Sequence, residues 1–155
     1  MNPVTFRFRT ANPEDVEVIA DFNCRLAEET EGRRLELVTV TNGVRRGLAI
    51  GDEVSYFLAE HDSGVIGQLM LTREWSDWRD GWMIWLQSVY VVREWRGAGV
   101  FRRLLDYALA DVASRLDAVN VRLYVEQHNE AARATYSRLG FKSAGYEVME
   151  MPLSR

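Results

Sequence analysis

Apolar and polar residues alternate at the start of the chain, with Val4, Phe6 and Phe8 set against Thr5, Arg7 and Arg9. A period of two predicts a strand with one buried face over residues 4–9. Asn12-Pro13-Glu14-Asp15 follows, with a capping amide, a proline in the first turn and acids at the positive end of a helix. Val16, Ile19, Ala20, Asn23, Leu26 and Ala27 then recur at threes and fours. They form the inward stripe of a helix that runs out over residues 28–32. A shorter helical stretch is predicted over 38–49, weakened by Gly43 and Gly47.

A strand over 55–60, a turn at His61-Asp62-Ser63-Gly64 and a returning strand over 65–75 make a hairpin. After a turn at 76–81, a long central strand is expected over 82–92. A helix over 98–115 comes next, its inward face formed by Val100, Phe101, Leu104, Leu105, Ala108, Leu109 and Val112. Residues 119–126 alternate again as a strand. Asn129 caps a helix through Arg138 that Gly140 ends, and 141–151 supply a last strand or strand pair. The order β-α-α-β-β-β-α-β-α-β has an antiparallel half and a crossover half. It predicts an α/β (mixed α+β) fold with one mixed sheet covered by helices.

The length of 155 residues predicts a single domain, 1–155, able to bury about two-thirds of its unfolded surface. A net charge of −4 lacks the basic footprint that nucleic acid or an anionic membrane requires, and is compatible with a cationic substrate. The lone Cys24 cannot form an internal disulfide, and with no signal-peptide core or membrane-length apolar run a cytoplasmic location is expected. No histidine and cysteine cluster has metal-ligand spacing, so no metal is expected.

The chemistry concentrates where the central strand meets the third helix. Val89-Tyr90-Val91-Val92 leads into Arg96-Gly97-Ala98-Gly99-Val100-Phe101-Arg102. A strand, a glycine turn and a helix start present backbone amides at the positive end of a dipole, a geometry that holds a phosphate or pyrophosphate. The glycines permit positive φ and a close approach of an anion to the backbone.

With that element order, the chain resembles the GCN5-related N-acetyltransferases (GNAT) over nearly its full length. One family motif, Arg or Gln, two residues, Gly, one residue, then Gly or Ala, matches Arg96 to Phe101, with Phe101 where a small residue is usual. The second is Asn129, Ala132, Tyr136 and Gly140-Phe141. The resemblance implies a mostly antiparallel sheet of six to seven strands, about four helices, and a fourth strand splayed from the fifth. It implies acetyl-CoA as co-substrate, its arm lined by Val89, Tyr90 and Val91, its pyrophosphate held by Arg96, Gly97, Ala98, Gly99, Val100, Phe101 and Arg102, with Asn129 as cap and cofactor contact. It also implies Tyr136 as the general acid toward the leaving thiolate, and direct transfer to an amine in a ternary complex.

A general base is expected among Glu74, Glu29, Glu31, Asp77 and Glu126, with Glu74 placed first and Glu29 as a further candidate. Trp75, Trp78, Trp82 and Trp85 stand beside Glu74, Asp77 and Asp80, a combination suited to a small organic cation by cation–π contact and charge. Alternation puts Trp82 and Trp85 on opposite faces, so the four cannot line one pocket. The same hairpin suits a contact between two copies, a homodimer. A CoA-binding module without transfer, and a peptide N-terminal or lysine acetyltransferase, are the alternative functions.

Overall fold

The computed structural model describes residues 4–154, and its contacts divide the chain into two compact units that meet in sequence at Tyr124 and Val125. The first holds β1 (Arg7–Thr10), α1 (Val16–Glu31), α2 (Leu37–Ile50), β2 (Val54–His61), β3 (Gly64–Ser76), β4 (Gly81–Val91), α3 (Val100–Arg115) and β5 (Ala118–Leu123). One sheet runs in the order β1-β2-β3-β4-β5, antiparallel throughout except for the parallel pair β4–β5 that α3 connects. This is the mixed, mostly antiparallel arrangement expected from the sequence.

Alternation along the strands sends one set of side chains toward α1 and α2 and the other toward α3. On the first face Val16, Ile19 and Ala20 of α1 and Val44 of α2 close over Tyr56 and Leu58. On the second, Phe57 meets Tyr107 of α3, and Gly67 lies under Val100. Gly47 inside α2 has a packing reason: a Cβ there would stand 3.0 Å from the Tyr56 hydroxyl. The glycine that weakens the helix by propensity lets it sit close to the sheet.

β1 begins three residues later than the alternation suggested, because pairing with β2 starts at Arg7 opposite Glu60. Phe6 is buried all the same, edge-on to Trp95. The entry to α1 is a single 3-10 turn, Pro13–Asp15, closed by a reciprocal cap. Asn12 Oδ1 accepts the Glu14 N–H at 2.9 Å and Asp15 accepts the Asn12 N–H at 2.8 Å.

The second unit holds α4 (Glu130–Arg138). Its end is a Schellman motif, with the Gly140 N–H donating to Ser137 O and the Phe141 N–H to Tyr136 O, and Gly140 at φ +97°. The expected last strand or strand pair over 141–151 is absent from the described residues, so the sheet has five strands rather than six or seven. Tyr146, Val148, Met149 and Met151 are exposed and the segment finds no ladder. Gly145 at positive φ, inside the segment, works against regular pairing.

In the first unit, Asp15 ties the entry of α1 to the sheet. Its buried carboxylate accepts one N–H from each terminal nitrogen of the Arg9 guanidinium, at 2.7 and 2.9 Å, and this pairing holds its pKa below the usual carboxylate range. Asp15→Asn should therefore lower stability by about 1.5–3 kcal/mol at pH 7 in urea titration. A depressed carboxylate contributes stability above its unfolded pKa and loses it as pH falls through the folded value. The gap between wild type and variant should thus be full at neutral pH and shrink below about pH 4.

Candidate functional site

β4 is the strand around which the candidate site forms. Opposite the single β3 residue between Gln68 and Met70 it carries two residues between Gln87 and Tyr90, a β-bulge. Ser88 in that bulge has φ +51°, a left-handed conformation uncommon for a residue with a side chain. On its other edge β4 pairs with β5 only from Trp82 to Leu86, ending at the Leu86–Leu123 pair, yet β4 runs on to Val91. Val92 N–H still bonds Ile66 O at 2.9 Å. The strand stays with β3 while it leaves β5. Residues 87–91, including Val89, Tyr90 and Val91, therefore present a backbone edge without a β5 partner, the splay expected from the sequence.

The closed end of the pair is fixed by Gly81 and Trp82, whose N–H bonds Asp117 O at 2.8 Å. A Cβ at Gly81 would lie 2.4 Å from Val119 Cγ1 and 2.9 Å from Asp117 O. Close approach there brings β5 against the start of β4.

Beyond β4 a short 3-10 turn, Arg93–Trp95, leads to the glycine loop. Gly97 and Gly99 take φ +79° and +77°, with open space where a Cβ would be. Gly99 is the N-cap of α3, and the first bond of that helix ladder runs from Arg103 N–H to Gly99 O at 3.2 Å. The amides ahead of it lie outside the ladder at the positive end of a 16-residue helix. Val100 is buried under this turn and Phe101 is half-buried. Arg93, Arg96, Arg102 and Arg103 add positive charge within eleven residues; Arg96 and Arg102 are in the expected motif, whereas Arg93 and Arg103 lie outside it.

Arg96 is held in three ways. Its Nε donates to Val91 O at 2.8 Å, its second terminal nitrogen donates to Glu29 at 2.6 Å, and its guanidinium lies 5.4 Å from the Tyr90 ring centre. The Tyr90 hydroxyl donates to the other Glu29 oxygen at 3.0 Å. Glu29, expected as a candidate base, thus sits at the end of α1 as the anchor of Arg96. The Arg96 hydrogen bond holds its pKa below the ordinary value. A carboxylate so engaged is a weak proton acceptor, and the arrangement suits an ion pair that fixes the loop.

Glu74 lies on β3 opposite Met83, its side chain half-exposed, with Arg122 of β5 at 3.9 Å. Along β4, Met83 is roughly 15–20 Å from Val89 at the rise of a strand. Glu74 therefore flanks the closed end of the β4–β5 pair, on the same sheet face as Gln87. The tryptophans divide as alternation required. Trp75 packs edge-on to Trp82 at 5.1 Å, with Arg73 over Trp82, on one face. Trp85 stacks on Tyr124 at 4.6 Å on the other, and Trp78 in the turn is 84% exposed.

In the second unit, Asn129 Oδ1 accepts the Ala132 N–H at 3.1 Å as the cap of α4. Tyr136 is half-buried and lies edge-on to Phe141 at 5.7 Å. Burial pushes its phenol pKa upward. The sequence did not point to Gln68 or to the Gln87–Thr72 pair, and it placed Asn23 only in the inward stripe of α1. The available signal was a lone amide at Gln68 inside the apolar run 65–71.

A parallel pair that opens before its strand ends, beside a glycine loop at a helix N-terminus, is the frame of an acyl-carrier-binding acetyltransferase fold. The acetyltransferase (GNAT) family model matches residues 20–141, and the chain belongs to that family. It is 34% identical over 93 residues to uncharacterised N-acetyltransferases of Mycobacterium bovis and Mycobacterium tuberculosis, a match covering 60% of this chain and 56% of theirs. The matched segment is thus little more than half the length of those relatives. A possible acetyltransferase from Clostridium difficile 630 superposes with a TM-score of 0.88 at 37% identity, over 99% of this chain and 100% of that one. A predicted acetyltransferase with acetyl-CoA from Clostridium acetobutylicum shares the fold at a TM-score of 0.78 and 17% identity, over 96% of each chain. No helix among the described residues is long and apolar enough to cross a membrane.

Two glycine variants separate the local demands of this frame. Gly99→Ala meets no atom but must hold a left-handed φ, and should cost about 1–2 kcal/mol in urea titration. Gly81→Ala must displace Val119 and the Asp117 carbonyl, and should cost about 1–3 kcal/mol through overpacking. It should also speed amide exchange in β5, which Gly99→Ala should leave unchanged.

Proposed function

We propose that the protein is an acetyl-CoA-dependent N-acetyltransferase that passes the acetyl group directly to a primary amine in a ternary complex. The observation that carries this reading is the separation of β4 from β5 after Leu86, beside the glycine loop that opens α3. The pantetheine arm carries amides, and amides can pair with an open strand edge as an added strand does. Val89, Tyr90 and Val91 supply that edge. The pyrophosphate is assigned to the amides of Gly97 to Arg102, with the charge of Arg96 and its neighbours beside it. Asn129 is assigned as cap and further cofactor contact.

In the proposed reaction the neutral amine attacks the thioester carbon, and the oxyanion is met by the backbone N–H near Val89. The tetrahedral intermediate collapses with loss of the CoA thiolate, which receives a proton from Tyr136. The attacking nitrogen gives up its extra proton to water, and Tyr136 is reprotonated from solvent. The role of Tyr136 rests on the family motif, and its raised pKa is supportive because the phenol keeps its proton through the neutral range. Of the candidate bases, Glu29 is committed to Arg96. Glu74 stands roughly 15–20 Å along the sheet from the Val89 amide, so the proton of the incoming ammonium is assigned to Glu74 through a chain of waters rather than a single bridge. A small cationic acceptor accords with the acids and with the Trp85–Tyr124 stack on the Glu74 face.

Calorimetry with coenzyme A should give saturable binding, and thiol release from acetyl-CoA across a panel of polyamines, amino sugars and amino acids should reveal turnover. Binding of coenzyme A without turnover of any amine would favour a binding module, and absence of binding by folded protein would overturn the reading. Tyr136→Phe should lower kcat by about 10²–10⁴-fold with little change in coenzyme A affinity. Glu74→Gln should lower kcat by less than Tyr136→Phe does.

A further inference from the structure

The bulge in β4 has a buried support. Gln68, on β3, is fully buried, yet it lies in an otherwise apolar stretch. Its side-chain amide nitrogen donates to Asn23 Oδ1 on α1 at 2.8 Å and to the Ser88 carbonyl at 3.1 Å. Both partners of that nitrogen are acceptors as placed, and the Ser88 carbonyl can only accept. The donor end of the amide must therefore face the bulge. The Gln68 Oε1 has no donor among the described residues, so the orientation costs an unsatisfied buried acceptor.

Such an arrangement persists only where something else requires it, and the adjacent strain indicates what that is. Ser88 is one of two non-glycine residues at positive φ among those described. A trans peptide points its C=O and N–H in opposite directions. With the Ser88 carbonyl drawn toward Gln68 and α1, the following N–H, that of Val89, points the other way. That is the edge which β5 has left.

We infer that Gln68, anchored by Asn23, is a positioning residue that pins the Ser88 carbonyl so that the Val89 N–H is aimed at the thioester carbonyl oxygen. The inference rests on the acetyl-CoA reading above and adds to it the residue that sets the donor's direction. Gln68 acts through the backbone and makes no bond to the reacting atoms.

The readout is the infrared band of acetyl-CoA isotope-labelled at its thioester carbonyl, bound to the protein, which needs no knowledge of the acceptor. In the wild type the band should move to lower wavenumber on binding, as a carbonyl does when it accepts a hydrogen bond. In Gln68→Met, which keeps the volume and removes the donor, at least half of that shift should be lost. Coenzyme A, which lacks the acetyl group, should bind that variant within about threefold of wild type. Ser88→Val reaches the same end without altering the core, since a β-branched residue resists the left-handed φ, and should lose the shift likewise.

A wild-type band in folded Gln68→Met would overturn the inference, as would a parallel loss of coenzyme A and acetyl-CoA affinity, the mark of a merely structural role. If Gln68→Met does not fold, Ser88→Val decides, and a wild-type band there overturns the inference. Failure of the wild type to bind coenzyme A would instead remove the transferase reading, so the two failures are distinct.

Discussion

Every backbone amide in a sheet needs a partner, and β4 is built so that part of one edge does not find it in β5. Pairing holds from Trp82 to Leu86 and stops, although the strand continues for five residues. The close approach at Gly81 clamps one end of the pair, and the bulge at Ser88 turns the other. An edge left open in this way is satisfied by solvent or by an added strand-like ligand. The rest of the first unit serves that opening: α3 begins beside it with glycines in the left-handed region, and α1 leans over it to reach both Gln68 and Arg96.

Helix α1 thereby ties the two halves of the proposed cofactor site together. Asn23 supports the bulge through Gln68, and two turns later Glu29 takes Arg96 and the Tyr90 hydroxyl. An ion pair at the surface contributes little to stability by itself. Here its consequence is geometric, since Arg96 also bonds the Val91 carbonyl and so links the end of β4 to the start of the glycine loop. The acid that seemed available for proton transfer is the one that the loop needs in place.

The fold was legible wherever one face of an element is buried, because burial imposes a period on the sequence. The helix that the stripe from Val16 to Ala27 announced, the hairpin around Gly64, the central strand and the α3 stripe from Val100 to Val112 all formed near their expected bounds. The Trp82 and Trp85 side chains separated to opposite faces for the same reason. Residues 141–151 misled because apolar residues there invited a strand, while strand formation depends on a partner edge that local pattern does not encode. Of the site, the glycine loop could be read, since positive φ selects glycine. The engagement of Glu29 could not, because Arg96 lies 67 residues away. Gln68 was legible only as an oddity, a polar residue where an apolar one was due.

The central claim is that the open edge of β4 and the first turn of α3 together receive an acyl-CoA. Residue-resolved amide hydrogen exchange, with and without saturating coenzyme A, tests it directly. The account predicts slowed exchange at Val89 and Val91 and at the amides from Gly97 to Arg102, with β1 and β2 unaffected. Binding that leaves the 87–91 edge exchanging at its free rate, or that protects some other face of the sheet, would contradict it.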